Sequence, residues 1–248
     1  MNFVCAPAAE IPQALYDSLA AYRYEVFVQR LGWELPSQPG YEQDQFDHAD
    51  TVHVVARRLD GSIVGCGRLL PTTGPYLLEQ VFPRLLNGLP TPRSPQVWEL
   101  SRFAAMPASG ADAARTPDCM AERVLLQALR FCAQRGVTHL LAVSTPPVER
   151  LLQRAGVECQ RLGPPEMAGG KPVIAFVIAV SEASIAALAR IEAAALAEEA
   201  PVRVARGEGL HVLQELQALA YEQLAVIQAP AEALAPREAD CSPPTTLH

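Results

Sequence analysis

The sequence predicts a mixed α/β sandwich, a sheet flanked by helices, followed by a C-terminal helical extension. Two runs rich in β-branched residues, 51–59 and 62–71, are separated by Asp60-Gly61, a dipeptide typical of tight hairpin turns. Between residues 119 and 180, helical and strand patterns alternate along the chain. Such alternation indicates that helices cover a sheet that contains more than hairpins.

The chain begins with an amphipathic helix, predicted over about 11–31, and a long polar loop over 32–50. Apolar residues on one helical face recur at intervals of four and three: Ile11, Leu15, Leu19, Tyr22 and Val26. Loops longer than about 12–15 residues in a folded domain are usually functional or disordered. We therefore expect the loop to carry function or to be disordered.

The remaining elements follow from the same patterns. They are a third strand over 97–103, a helix over 119–135, a strand over 137–143, a helix over 147–155 and a strand over 173–180. Beyond residue 181 the pattern is helical, in two pieces that break around 201–209. The predicted organisation is a domain over 1–185, a helical extension over 186–229 and a disordered tail over 230–248.

Composition excludes several classes of protein. The net charge of −7 disfavours a nucleic-acid partner, which clustered cations would bind. The sequence has no apolar run of about 20 residues and no secretory signal, so a cytoplasmic protein without a membrane span is expected. Scattered cysteines and histidines predict neither disulfides nor a metal site.

Two groups of residues near the start of the chain could take part in binding or catalysis. Arg23 and Phe27 lie one helical turn apart with Trp33 just beyond, a set that could bind a carboxylate and enclose a cation. The alternative is an ordinary core with a surface arginine. The loop then brings Glu42, Asp44 and Asp47 within six residues, which implies nearby positive charge or a solvated acidic loop.

Charged residues also fall inside two predicted strands. Arg68 lies in the second strand, and Glu99, Ser101 and Arg102 lie in the third. Strict alternation places Glu99 and Ser101 on one face of the sheet and Arg102 on the other. With the acidic loop, these residues predict one buried electrostatic cluster, and ordinary ion pairs at a sheet edge are the alternative.

In combination these residues resemble a known family. Six motifs occur in its order and spacing: Arg23-x-x-x-Phe27, Leu31-x-Trp33, Glu42-x-Asp44-x-Phe46-Asp47, Arg68-Leu69-Leu70-Pro71-Thr72, Val81-Phe82 and Trp98-Glu99-Leu100-Ser101-Arg102-Phe103. They are similar to those of the autoinducer synthases, which make acyl-homoserine lactones, and the similarity covers roughly residues 1–185. The resemblance implies a GCN5-type N-acetyltransferase-like fold with a twisted mixed sheet.

The resemblance also implies a reaction. An acyl group would pass from acyl carrier protein to S-adenosylmethionine, which is a substrate, so no cofactor or metal is expected. Glu99 would be the general base, and backbone N–H groups from Ser101 to Phe103 would stabilise the oxyanion. Binding of S-adenosylmethionine would involve Arg23, Phe27, Trp33 and Arg102, within a paired cluster that adds Asp44, Asp47, Arg68 and Glu99.

Two further sets of residues follow from the resemblance. The acyl and pantetheine tunnel would be lined by Phe82, Leu100, Val143 and Ser144. At Ala142, some family members that favour 3-oxo chains carry threonine, so an unsubstituted medium-length chain is expected. Acyl carrier protein, which is acidic, would dock on a basic patch of Arg150, Arg154 and Lys171, with Arg161 nearby.

Two rival functions remain open from the sequence. One is an ordinary acetyltransferase that uses acyl-CoA, although residues 106–111 do not match the phosphate-binding loop of those enzymes. The other is an inactive relative that binds S-adenosylmethionine or carrier protein as a sensor. Loss of Glu99, Arg102 or Arg68 would favour the sensor, and all three residues are present.

Overall fold

The computed structural model of the protein describes residues 1–35, 37–106 and 119–205, with side chains described up to residue 197. The chain divides into two units, Met1–Ala195 and Leu196–His248. The predicted boundary at residue 185 falls inside the last described helix. The architecture that positions the candidate site belongs to the first unit.

A single sheet of eight strands is present in the described part of the chain. The strands are β1 (Asn2–Pro7), β2 (Val52–Arg57), β3 (Ile63–Pro71), β4 (Val97–Ala104), β5 (His139–Ser144), β6 (Cys159–Arg161), β7 (Glu166–Ala168) and β8 (Lys171–Ala179). Their order is β1-β2-β3-β4-β5-β8-β6, and β7 pairs with β8. All neighbours are antiparallel except β4 and β5, which are parallel. The predicted mixed sheet is therefore confirmed.

Helices cover both faces of this sheet. They are α1 (Gln13–Arg23), α2 (Leu77–Gln80), α3 (Met120–Ala133), α4 (Pro146–Arg154) and α5 (Glu182–Ala205), with short 3-10 turns at Ala8–Glu10 and Pro83–Leu86. One core joins α3, α4 and the first part of α5 to the sheet, and two smaller cores lie under α1 and α2 on the opposite face. No helix in the described ranges is long and apolar enough to cross a membrane.

The α3 face depends on a glycine in β3. A Cβ atom built on Gly65 would lie 2.7 Å from the Val124 side chain and 3.3 Å from the carbonyl oxygen of Ala104. Real Cβ atoms essentially never approach another heavy atom as closely as the first of these distances. The absence of a side chain therefore lets α3 pack directly on the strand beside the site.

The first helix differs from its prediction in a way that affects the site. The α-helix ends at Arg23, and Tyr24–Arg30 continues as a π-helix. The wider turn is closed by a bond from the Leu31 N–H to the Val26 carbonyl at 3.0 Å. Helical spacing in a sequence does not separate these two helix types, and π-helical turns occur frequently at functional sites.

The other differences lie at the sheet edges and near the C-terminus. Strands β1, β6 and β7 were not predicted, and each is short or at an edge of the pairing. Helix α5 continues through Pro201 to Ala205, so the predicted break does not begin at Pro201. Residues 206–248, including the predicted tail over 230–248, lie outside the described residues.

Candidate active site

Six charged side chains meet beside β3 and β4, and each is at most 5% exposed. They are Arg23, Glu42, Asp44, Asp47, Arg68 and Arg102. Three arginines from α1, β3 and β4 thus meet three carboxylates from the loop that precedes β2. The formal charges cancel, which makes burial of the set tolerable. The predicted buried cluster is confirmed for the acidic loop, Arg68 and Arg102, and the solvated acidic loop is excluded.

Arg23 is a fully enclosed member of this cluster, with its side chain 2% exposed. Its Nε donates to Glu42 Oε2 at 2.5 Å, and its Nη1 and Nη2 donate to the two oxygens of Asp47 at 2.8 and 2.9 Å. All three nitrogens therefore bind carboxylates of the protein itself. Arg23 orients Glu42 and Asp47, so it can influence a bound substrate through them.

Arg68 and Arg102 complete the cluster through Asp44. Arg68 Nη1 donates to Asp44 Oδ1 at 2.6 Å, and Arg102 Nη2 donates to Asp44 Oδ2 at 2.7 Å. Arg102 also binds Glu42 Oε1 through Nε and Nη2, at 3.1 and 3.0 Å. Each carboxylate of the loop is consequently held by two arginines from different elements.

Arginines and carboxylates of this cluster shift each other's pKa at Asp47 and Arg23. Burial alone raises the pKa of Asp47, but hydrogen bonds and charge from Arg23, with the charge of Arg68, lower it well below the usual range. The same carboxylates raise the pKa of Arg23, although burial opposes them. Ion pairs with Arg23 and Arg68 therefore hold Asp47, and with it the loop, to α1 and β3.

Arg102 reaches the cluster because β4 contains a bulge. Cys66 of β3 pairs with Ala104 and Arg68 pairs with Ser101, so Arg102 and Phe103 together oppose Gly67. Arg102 has a φ of 48°, in the left-handed region. The predicted strict alternation is wrong at this point, because the bulge turns Arg102 to the face that carries Arg68 and Ser101.

Ser101 and Glu99 have different partners on that face. Ser101 Oγ accepts a hydrogen bond from Arg68 Nε at 3.0 Å. Glu99 is 1% exposed, and its oxygens accept the backbone N–H groups of Leu77 and Leu78 at 2.8 and 2.6 Å. Glu99 is therefore not ion-paired in the cluster, contrary to the prediction. Burial raises its pKa, although the two N–H donors oppose the shift.

Aromatic rings border the exposed side of the cluster. The Phe27 and Trp33 rings lie 4.9 Å apart, and the Arg102 guanidinium carbon lies 5.7 and 6.0 Å from their respective centroids. Phe27 is buried, whereas Trp33 is 42% exposed. Both sequence alternatives hold in part, since Phe27 is a core residue and Trp33 presents an aromatic surface next to the charged cluster.

The predicted tunnel residues divide between the two faces of the sheet. Ala142 and Leu100 belong to the core under α3, against which Phe103 packs. Phe82 and Val143 pack in the core under α2. This division follows from the alternation of β5, in which Ala142 and Ser144 share one face and Val143 takes the other. Phe82 and Ala142 therefore do not line one common surface.

The pairing of β4 with β5 ends at the boundary of these two sets. The parallel ladder ends at the pair Leu100–Ala142, while β4 continues to Ala104 and β5 to Ser144. The departure begins beside the bulge that turns Arg102 into the cluster. A substrate inserted between the strand ends would have both apolar surfaces and the charged cluster within reach.

The predicted docking residues are on the surface. Arg150 and Arg154 are exposed on α4, and Leu151 between them is 48% exposed. Lys171 is exposed at the start of β8. Arg161 of β6 is different, because it forms an ion pair with the buried Glu149 of α4. Three of the four predicted cations are therefore available on the surface, and Arg161 serves to attach α4 to β6.

Two residues of the site were not assigned by sequence reasoning. Glu42 joins Arg23 to Arg102 at the centre of the cluster, and the signal for it was its place in the dense acidic motif. His53 is buried opposite Arg68 in the β2–β3 ladder, with Nε2 3.9 Å from Asp47 Oδ1. Burial lowers the pKa of His53 to about 4, so it is neutral. Among the described residues, no group of metal-ligating side chains could hold a metal ion.

Comparison with known proteins gives a consistent picture. The family model of the autoinducer synthases matches residues 9–188. An acyl-homoserine-lactone synthase of Ralstonia nicotianae is 48% identical over 182 residues, which are 72% of this chain and 88% of that protein.

Solved structures agree with the described architecture. The crystal structure of TofI in a ternary complex with an inhibitor and MTA has a TM-score of 0.66 and 42% identity, and covers 76% of this chain and 96% of TofI. The CoA-dependent acyl-homoserine lactone synthase MesI has a TM-score of 0.67 and 27% identity, and covers 77% and 94%. An N-acetyltransferase candidate from Lactobacillus plantarum, at 16% identity, has a TM-score of 0.50 and covers 73% and 98%. That last likeness concerns the fold alone, and the predicted N-acetyltransferase-like fold is confirmed.

Proposed function

Because this chain belongs to the autoinducer synthase family and has the activity of an acyl-homoserine-lactone synthase, we propose that its substrates are S-adenosylmethionine and acyl-acyl carrier protein. The observation that carries this proposal is the buried cluster, which places the Arg102 guanidinium beside the aromatic surface of Trp33. S-adenosylmethionine carries a carboxylate, an amine and a sulfonium, and this set of groups complements all three.

Binding would use the cluster as a rigid frame. Arg102 and Trp33 would contact the substrate, because Trp33 is exposed and Arg102 lies against its ring. Arg23 and Phe27 would act from behind, since both are buried. The loop carboxylates Asp44 and Asp47, fixed by arginines, would favour the cationic amine and sulfonium. The MTA (methylthioadenosine) in TofI supports an adenosine-containing ligand here.

The first chemical step would be acyl transfer. The substrate ammonium loses a proton to Glu99, directly or through a water molecule, and the free amine attacks the thioester carbonyl. The raised pKa of Glu99, caused by burial, makes this carboxylate a better proton acceptor than an exposed one. Backbone N–H groups between Ser101 and Phe103 would stabilise the oxyanion, and the thiol of the donor leaves.

The second step closes the lactone. The α-carboxylate of the acylated substrate attacks the side-chain carbon bonded to sulfur, so a C–O bond forms while the C–S bond breaks. Methylthioadenosine leaves as a neutral molecule, because the sulfonium accepts the electron pair. The thioester bond of the donor and the carbon–sulfur bond of the sulfonium are already activated in the substrates. We therefore propose that the reaction uses no cofactor and no metal. We place it in the cytoplasm, where both substrates are made.

The acyl donor would dock on α4. Arg150 and Arg154 lie one turn apart with the exposed Leu151 between them, and an acidic carrier protein would contact both charge and apolar surface. Lys171 adds a third exposed cation at β8. The second candidate donor is acyl-CoA, because the related MesI is CoA-dependent.

The acyl chain would lie between β4 and β5 on the α3 side. Ala142 is buried opposite Leu100 in the parallel ladder, and neither side chain carries a hydrogen-bond donor for a 3-oxo group. We therefore propose an acyl chain without a 3-oxo group, and the medium length follows only from the family resemblance.

The test uses the purified full chain with S-adenosylmethionine and either octanoyl-acyl carrier protein or octanoyl-CoA. Mass spectrometry should detect octanoyl-homoserine lactone and methylthioadenosine in equal amounts. The kcat/KM should be higher for the carrier-protein donor than for octanoyl-CoA. Higher kcat/KM with octanoyl-CoA would overturn the donor assignment. Methylthioadenosine without lactone, or acylated substrate without ring closure, would overturn the reaction sequence.

A further inference from the structure

The bulge of β4 leaves a backbone geometry that needs support. Arg102 is one of two residues other than glycine with positive φ in the described part of the chain. Such a conformation is unfavourable for a residue with a side chain and persists only where surrounding contacts determine it. The side chain at this position is the arginine that holds Glu42 and Asp44. Whatever holds the bulge therefore also sets the position of the Arg102 guanidinium.

Cys66 contacts this bulge from the neighbouring strand. Its Sγ donates a hydrogen bond to the Arg102 carbonyl oxygen at 3.1 Å. Cys66 is 1% exposed and packs in the core under α1 with Phe27. Burial raises the pKa of the Cys66 thiol to about 12, so the sulfur keeps its proton and remains a donor.

The opposite side of the bulge is shaped by Gly67. A Cβ atom there would lie 3.3 Å from Leu100 and 3.7 Å from Phe103, so the bulged strand packs closely over this position. On the α1 side, the thiol of Cys66 is the group that binds the turned carbonyl. The neighbouring strand thus supports the bulge by close packing on one face and by a hydrogen bond on the other.

We propose that Cys66 is a positioning residue, whose thiol holds the left-handed turn of β4 and so places the Arg102 guanidinium in the cluster. Cys66 contacts no substrate in this role. Loss of the donor removes the side-chain hydrogen bond to the Arg102 carbonyl and loosens the side chain that contacts substrate. The choice of S-adenosylmethionine as the probe below rests on the proposed function.

The test compares Cys66→Ala, Cys66→Ser and Cys132→Ala. Serine keeps a donor at position 66, and Cys132 is a fully buried cysteine of α3, so its truncation is a matched control. For Cys66→Ala we expect the calorimetric Kd and the KM for S-adenosylmethionine to rise about two- to fivefold, the effect of about 0.5–1 kcal/mol. Cys66→Ser and Cys132→Ala should stay near the wild-type values, and kcat should change little in all three.

Equal effects of Cys66→Ala and Cys132→Ala, or a loss in Cys66→Ser as large as in Cys66→Ala, would overturn the assignment. If Cys66→Ala does not fold, Cys66→Val fills the volume without a donor and is measured instead.

A crystal structure of Cys66→Ala or Cys66→Val gives a test independent of activity. Arg102 should leave the left-handed region or shift from Glu42, and an unchanged bulge would count against the proposal. Failure of the wild-type protein to bind S-adenosylmethionine would instead contradict the proposed function.

Discussion

Glu99 accepts the backbone N–H of Leu78 at 2.6 Å, so a carboxylate of β4 fixes the start of α2 while its negative charge stays buried beside the cluster. This contact gives Glu99 a structural part in addition to the proposed catalytic one. The two parts have different kinetic signatures, because proton transfer affects kcat and helix position affects substrate binding.

We expect Glu99→Gln to lower kcat by at least about 100-fold, since an amide cannot accept the proton. The amide oxygen retains one acceptor for α2, so the variant should fold. The acidic limb of the wild-type kcat/KM profile should lie above the usual range of a glutamate, because burial raises the pKa of Glu99. Steady-state kinetics against pH measure both effects. A variant with near-normal kcat, or one that keeps the acidic limb, would rule out Glu99 as the base.

Glu42→Gln should destabilise the protein by about 3–5 kcal/mol, because the buried cluster then holds three arginines against two carboxylates and one positive charge is uncompensated. Urea unfolding gives the free energy. Glu79→Gln is the matched control, since Glu79 pairs with Arg93 near the surface and such pairs contribute at most about 1 kcal/mol. Similar losses in the two variants would show that the cluster is not a structural frame.

Arg150→Glu with Arg154→Glu should raise the KM for acyl-acyl carrier protein and leave the Kd for S-adenosylmethionine unchanged. In the wild-type enzyme that KM should rise with salt, because the contact is electrostatic and exposed. Arg57→Glu with Arg135→Glu, on β2 and after α3, makes the same change in net charge at another surface. If the control pair raises this KM equally, the carrier protein docks on another surface or responds to the net charge of the whole protein.

Ala142→Thr should shift donor preference toward 3-oxoacyl chains. The added hydroxyl would lie in the buried pair with Leu100, where an unpaired polar group is costly unless the acyl chain offers an acceptor. The ratio of kcat/KM for 3-oxo-octanoyl and octanoyl donors measures the preference. Ala175→Thr is a useful control, since Ala175 is also buried, on the neighbouring strand β8 but in the core under α2. A ratio that Ala142→Thr leaves unchanged would remove Ala142 from the acyl site.

His53 predicts an acid sensitivity. Burial lowers its pKa from 6.5 to about 4, so between these values the unfolded chain binds the proton and the folded protein does not. The contribution of neutral His53 to stability is complete above pH 6.5. As the pH falls toward 4, about 3 kcal/mol of that stability is lost. The raised pKa of Glu99 acts in the opposite direction. The difference between wild type and His53→Gln in unfolding free energy, followed from pH 7 to pH 4, isolates the histidine, and parallel curves would contradict this account.

Local sequence patterns determined most of the framework. The hairpin of β2 and β3, the helices α3 and α4 and the strands β4, β5 and β8 follow from periodicity and turn residues, which depend on neighbours within a few positions. Motif content also determined the family, since the charged residues occur in a fixed order. These properties require no knowledge of which distant segments meet.

Tertiary structure alone decided how the site is assembled. The bulge at Arg102 reverses the face that alternation assigns, because pairing with β3 and the thiol of Cys66 outweigh the local preference of the strand. Glu99 leaves the charged cluster because the start of α2 supplies two N–H donors at a distance of more than 20 residues along the chain. Both outcomes depend on contacts between segments far apart in sequence, and such contacts leave no periodic signal in either segment.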